Sequence, residues 1–121
     1  MDEILKRLEL LHPKIIDLKL DRVKRLLRKL GNPEKSIPPV IHVAGTNGKG
    51  STIAMIKAGL QKSGFSTHTY TSPHLVRFNE RIEIENKRIS EDALKEVLNE
   101  CEKVNNSQPI TFFEITTCAA F

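Results

Sequence analysis

The sequence predicts an α/β fold, and three observations carry that prediction. Val40-Ile41-His42-Val43-Ala44 holds four apolar or β-branched positions and suggests a buried strand. A loop of three glycines and one lysine follows, Gly45-Thr46-Asn47-Gly48-Lys49-Gly50-Ser51-Thr52, and it runs into a helical pattern. Beyond that helix, residues 65–71 are rich in Thr, Tyr and Phe and read as a second strand. Strand, Gly-rich loop and helix are the arrangement that holds a nucleotide's phosphates. Glycines let backbone N–H groups approach phosphate oxygens, a lysine adds mobile positive charge, and a hydroxyl can bind Mg²⁺. The expectation is an ATP site in a three-layer, P-loop type nucleotide-binding domain.

Composition bounds the rest. At 121 residues the chain is one domain at most, with 39% hydrophobic and 28% charged residues, ordinary for a globular protein. The formal charge of +4 is spread along the chain, which favours solvated helix faces first and an anionic ligand second. No aromatic signature of RNA binding accompanies it, so nucleic acid is not an expected partner. Two cysteines, Cys101 and Cys118, make neither a disulfide framework nor a zinc site. Met1-Asp2-Glu3 is not the start of a signal peptide, and no apolar run has membrane-spanning length. A cytoplasmic monomer is expected. Cys118-Ala119-Ala120-Phe121 fits the prenylation pattern C-a-a-X, but it continues a helical pattern, so a helix cut in mid-course is the better reading. The sequence is therefore expected to be the N-terminal part of a longer protein.

Taken in order, Ile4, Leu8 and Leu11 predict an amphipathic helix over 2–11, begun by the acids Asp2 and Glu3 and ended at His12-Pro13. Residues 14–20 read as a short connection. Asp21 suits an N-cap. Val23, Leu26, Leu27 and Leu30 then lie at helical spacing, and Gly31 fits the position after the helix. Residues 32–39 form a loop with three prolines. After the Gly-rich loop, Ile53, Ile56 and Leu60 predict a buried helical stripe that ends at Gly64. The two strands around this helix predict a right-handed βαβ unit with parallel strands. That topology would bring Thr71-Ser72-Pro73-His74 to the same sheet edge as the loop. Residues 81–84 and 87–89 suggest a hairpin turning at Glu85-Asn86, although the favoured Asn-Gly is missing. Ser90 suits an N-cap, followed by a helix with Leu94, Val97, Leu98 and Cys101 on one face. Residues 105–109 are a loop. Thr111-Phe112-Phe113-Glu114 opens a last helix, and Thr111 and Glu114 have the spacing of a capping box.

The Gly-rich loop does not match the general P-loop pattern G-x-x-x-x-G-K-[ST]. Only Thr46 and Asn47 separate Gly45 from Gly48, and Gly50 stands between Lys49 and Ser51. Its order, Gly-Thr-Asn-Gly-Lys-Gly-Ser-Thr, resembles the loop of the Mur ligase family. With His42-Val43-Ala44 before it, the loop is similar to that of the folylpolyglutamate synthase and dihydrofolate synthase branch. Tyr70-Thr71-Ser72-Pro73-His74-Leu75-Val76-Arg77-Phe78-Asn79-Glu80-Arg81-Ile82 resembles that branch's second signature. Ile16-Asp17-Leu18-Lys19-Leu20-Asp21-Arg22-Val23 resembles its N-terminal segment, and Thr111-Phe112-Phe113-Glu114 a fourth.

The resemblance implies an amide ligase. ATP would phosphorylate a carboxylate of dihydropteroate or of a folate, and L-glutamate would then displace phosphate. It implies ATP contacts at Asn47, Gly48, Lys49, Gly50 and Ser51, with Lys49 also the catalytic cation on the β- and γ-phosphates. The bland alternative for these residues is a tight strand-to-helix turn, which needs one or two glycines but no lysine between them. Ser72 is implied as an Mg²⁺ ligand, against a serine that merely ends a strand before proline. Asp17, Leu18 and Lys19 are implied on the pterin-binding side, although the family often has a small residue at the position of Lys19. Thr111, Phe112, Phe113 and Glu114 are implied there too, the aromatics for ring packing. The capping box alone could explain Thr111 and Glu114. Arg77, Glu80 and Arg81 would shape the folate or phosphate side, or form a salt-bridged surface. His12, His42 and His68 show no metal-ligand spacing, and both cysteines read as core. Another Mur-type ligase, for a peptidoglycan precursor or cyanophycin, shares the loop but not the second signature. A non-catalytic nucleotide-binding module is the third reading.

Overall fold

The computed structural model of the chain describes residues 1–13 and 19–121. It divides into two compact units. One comprises Met1–Pro38 with Glu91–Phe121, the other Pro39–Ser90.

The first unit is helical. Helix α1 (Asp2–Glu9) buries Ile4 and Leu8. Helix α2 (Asp21–Lys29) buries Leu26 and Leu27. Helix α4 (Glu91–Asn105) buries Leu94, Leu98 and Cys101, and α5 (Phe112–Ala120) buries Ile115 and Cys118. Each set has the spacing of a single helical face, so burying those faces together makes the core. Helix α5 packs on α2 and α4. Asp21 proves to be the first residue of α2 rather than its cap, which is Leu20. Gly31 takes the left-handed conformation (φ 88°) and ends the helix as expected. A short 3₁₀ turn, Pro33–Lys35, interrupts the expected loop.

The second unit holds α3 (Lys49–Lys62) and a small sheet. Its strands are β1 (Thr69–Tyr70), β2 (Ile82–Ile84) and β3 (Lys87–Arg88), in the order β1-β2-β3 and all antiparallel. The hairpin turns at Glu85-Asn86 as the sequence predicts, with Ile84 facing Lys87. Both turn residues have positive φ, 50° and 70°. That is the backbone a two-residue loop needs to follow strand twist.

Three expectations fail here. Residues 40–44 form no strand, and Val40 and Ile41 are 68% and 61% exposed. A strand exists only when a neighbouring strand takes up its N–H and C=O groups, and among the described residues none runs beside this segment. The expected strand over 65–71 shrinks to Thr69–Tyr70, and it pairs antiparallel with β2. No parallel βαβ crossover is therefore formed among the described residues. Finally, Ile53, Ile56 and Leu60 are half-buried, and α3 has no fully buried residue. Its apolar stripe is the right one, but among the described residues too little packs on it to close it from solvent.

Candidate functional site

The Gly-rich loop leads directly into α3, whose N-cap is Gly48 in the left-handed conformation (φ 75°). Only glycine takes that conformation without strain. Glycine also brings no side chain, so no side-chain oxygen caps the helix, and no acid occupies its first turn. The N–H groups that open a helix have no partner within it, and they carry the positive end of its dipole. A Cβ added at Gly48 or Gly50 would meet nothing within 4 Å, so the backbone there lies open to a ligand.

The Lys49 ammonium donates to the Gly45 carbonyl, which folds the side chain back over the loop. The two hydroxyls that follow are not equivalent. Thr52 Oγ1 donates to the Gly48 carbonyl at 2.8 Å and is used within the helix. Ser51 is exposed at the helix's opening, and so are Asn47 and Gly50. Glycines, amides, lysine and serine thus form an anion cradle suited to a polyphosphate. The expected contacts Asn47, Gly48, Lys49, Gly50 and Ser51 all lie in this one loop and first turn.

Ser72 is exposed, two residues after β1, and precedes a cis peptide bond to Pro73. With the parallel crossover absent, sheet topology no longer brings it to the loop, and the resemblance alone suggests its metal role. Its hydroxyl and that of Ser51 are donors that Mg²⁺ accepts beside phosphate and water. The segment after Ser72 is tightly held. Glu80 accepts from the N–H groups of Leu75, Val76 and Arg77 at 3.0, 3.0 and 2.7 Å. Those backbone bonds, Arg77's first, pull its carboxyl down to about 2. Arg81 donates to His74 Nδ1 at 2.9 Å and lies 4.7 Å over the Phe78 ring. The sequence left Glu80 and Arg81 between ligand-side groups and a salt-bridged surface, and here they brace the loop.

On the first unit, Thr111 and Glu114 form the predicted capping box at the start of α5. The Thr111 N–H donates to Glu114 Oε1 at 2.9 Å, and the Glu114 N–H donates to Thr111 Oγ1 at 3.2 Å. Both residues are buried, Phe112 is half-buried, and Phe113 is 45% exposed. Arg22 grips the same carboxylate through two bonds, Nε to Oε1 at 2.9 Å and Nη2 to Oε2 at 3.1 Å. Burial pushes the Glu114 carboxyl up, but the guanidinium and the Thr111 N–H outweigh it and hold it below its ordinary value. Arg22 was missed as a partner because it stands 92 positions from Glu114, and no local spacing signals such a pair. Lys19 is exposed. Asp17 and Leu18 lie outside the described residues.

Among the described residues no three His, Cys, Asp or Glu side chains cluster as metal ligands, and no helix is long and apolar enough to cross a membrane. Cys101 and Cys118 are free and buried, and burial raises their thiols to about 11 and about 12.

No family model matches the chain. Individual proteins do. The dihydrofolate synthase/folylpolyglutamate synthase of Bacillus subtilis is 43% identical over 109 residues, 84% of this chain and 25% of that protein. Among solved structures, E. coli FolC in complex with DHPP and ADP matches with a TM-score of 0.89 at 39% identity, covering 98% of this chain and 28% of that one. The bifunctional folylpolyglutamate synthase/dihydrofolate synthase of Yersinia pestis, complexed with AMPPNP and Mn ion, matches at 0.87 and 36%, covering 98% and 29%. The chain spans about a quarter of the length of the curated relatives it matches.

Proposed function

We propose that this chain, which belongs to the folylpolyglutamate synthase and dihydrofolate synthase branch of the Mur ligase family, serves an ATP-dependent amide ligase. The protein that carries it adds L-glutamate to dihydropteroate, to folates, or to both. One observation supports this reading above the others: the acid-free, uncapped start of α3, opened by Gly48 and covered by Lys49. Relatives solved with ADP, or with AMPPNP and Mn ion, support it further.

In this reading the loop amides and Asn47 hold the nucleotide's phosphates, and Lys49 spreads the charge that builds on the transferring phosphoryl group. Ser51 and Ser72 would hold Mg²⁺, which would supply further neutralisation of that charge. The substrate carboxylate takes the terminal phosphoryl group and becomes an acyl phosphate. The glutamate amine then attacks the acyl carbon, an amide bond forms, and phosphate and a proton leave. The protein's own part is positioning and electrostatic support, with no side chain covalently attached. The pteridine side is assigned to Asp17, Leu18 and Lys19 with Thr111, Phe112, Phe113 and Glu114. Within that set, Phe113 offers an exposed ring, and Thr111 and Glu114 frame it. The protein is read as cytoplasmic, in keeping with its free, buried thiols, and as a monomer.

Glutamate-dependent ADP release by the protein that carries this chain, compared with dihydropteroate and tetrahydrofolate, tests the assignment. Release with either acid is expected, and release with neither overturns it. Lys49→Ala should lower turnover by about a hundredfold or more while leaving the circular dichroism spectrum intact. Retained turnover would move the phosphate site elsewhere.

A further inference from the structure

We propose that Arg22 is a positioning residue for the pteridine side of the site, acting through Glu114 on the start of α5. The proposal rests on the function assigned above. Its observation is the two-pronged pairing of one guanidinium with one carboxylate, at 2.9 and 3.1 Å, with the side chains 15% and 7% exposed. The carboxylate is shared. Glu114 Oε1 also accepts the Thr111 N–H, so a single group joins α2, the cap of α5 and the residue just after Phe113. One turn along α2, Arg25 Nη2 donates to the buried Asn105 Oδ1 at 2.8 Å and to the Pro109 carbonyl at 3.3 Å. Asn105 in turn donates to the Gln108 carbonyl at 2.9 Å. Two arginines three apart on one helix face therefore hold both ends of the segment that joins α4 to α5.

Cohesion between α2 and α5 does not require this. Leu26, Leu27, Ile115 and Cys118 already supply apolar burial between the helices. A buried ion pair adds little net stability over apolar residues of similar size, because desolvation offsets the attraction. What a planar, forked pair adds is direction. Glu114 adjoins the exposed Phe113 on the first turn, so fixing the carboxylate in two bonds fixes the backbone turn from which the Phe113 ring projects. Lysine keeps the charge but has no fork and cannot set that direction.

The test uses the protein that carries this chain and reads KM for dihydropteroate, KM for ATP, kcat and melting temperature. Arg22→Lys should raise KM for dihydropteroate about tenfold, with KM for ATP within about twofold of the parent value. A paired exchange, Arg22→Met with Glu114→Gln, removes the ion pair but keeps an oxygen for the Thr111 N–H; it should hold the melting temperature within about 5 °C of the parent and show the same selective rise in KM. Unchanged KM for dihydropteroate in both variants overturns the proposal, as does an equal rise for both substrates. Loss of folding in both overturns it too, since the pair is then structural. A parent protein that releases ADP with neither pteridine overturns the assigned function and this role together. A working parent with unaffected variants overturns only the role of Arg22.

Discussion

Glu80 collects three backbone N–H groups on one carboxylate, and that arrangement makes it a tie within its own loop. Amides prefer the ionised form as acceptor, which is why its carboxyl falls from 4.5 to about 2. The sign of the linkage follows. A group whose folded value is depressed contributes stability above its unfolded value and loses it as the pH falls through the folded one. The melting-temperature gap between the parent and Glu80→Gln should be full at pH 6, shrink below about 4.5, and close near 2. A gap independent of pH would mean the carboxylate's charge plays no part. Sequence reading placed Glu80 in a charged loop and could go no further. Which amides converge on it depends on the backbone path of residues 75–77, and side-chain order does not encode that path locally. Glu114 shows the opposite limit. Its bond to Thr111 was legible from a spacing of three, whereas its bond to Arg22 crosses 92 positions.

Elements whose stabilising contacts are local were read well, and those that depend on distant partners were not. The faces of α1, α2 and α4 followed from apolar spacing alone, and the start of α5 from its capping box, since each helix satisfies its own backbone. Strands have no such independence, and the run at 40–44 remained without a ladder. Helix α3 is tied to the sheet by a contact the sequence did not reveal. Lys57 donates to both Glu83 oxygens, at 3.0 and 2.8 Å, and Thr69 Oγ1 donates to Glu83 Oε2 at 3.0 Å. The Lys57 bond, helped by that of Thr69, outweighs burial and holds the Glu83 carboxyl below its ordinary value. The hairpin was legible in place but not in chemistry, because Glu85 stands where positive φ favours asparagine or glycine. Asn86 already suits its position, and its Oδ1 accepts from both the N–H and the Oγ1 of Thr67. Glu85→Asn should therefore raise stability by about 0.5 kcal/mol, read as a higher denaturation midpoint at constant slope. The backbone bond from Glu85 N–H to His68 Nδ1 at 2.9 Å is kept in that variant. A lower midpoint would show that the glutamate side chain contributes something the turn geometry does not require.

At the scale of the whole chain, the two motifs that carry the functional reading fall in different compact units. The Gly-rich loop and Ser72 belong to Pro39–Ser90, and Thr111 to Glu114 with Arg22 belong to the other. The α/β nucleotide-binding fold was legible because a Gly-Lys-Gly loop opening a helix has few other uses. The division into units was not, since it reflects how α4 and α5 return to pack with α1 and α2 after a long excursion in sequence. This division gives the functional reading an observable signature. ADP with Mg²⁺ should slow amide hydrogen exchange across residues 47–52, where the unpartnered N–H groups of α3 would gain acceptors. Dihydropteroate should instead slow exchange across residues 111–115, at the start of α5. Lys49→Ala should abolish the first effect and leave the second, and Arg22→Lys should weaken the second and leave the first. Nucleotide protection confined to residues 111–115 would contradict the assignment of the loop. Pteridine protection confined to residues 47–52 would contradict the assignment of α5. Because each ligand has its own expected segment and its own variant, the two halves of the reading can fail separately.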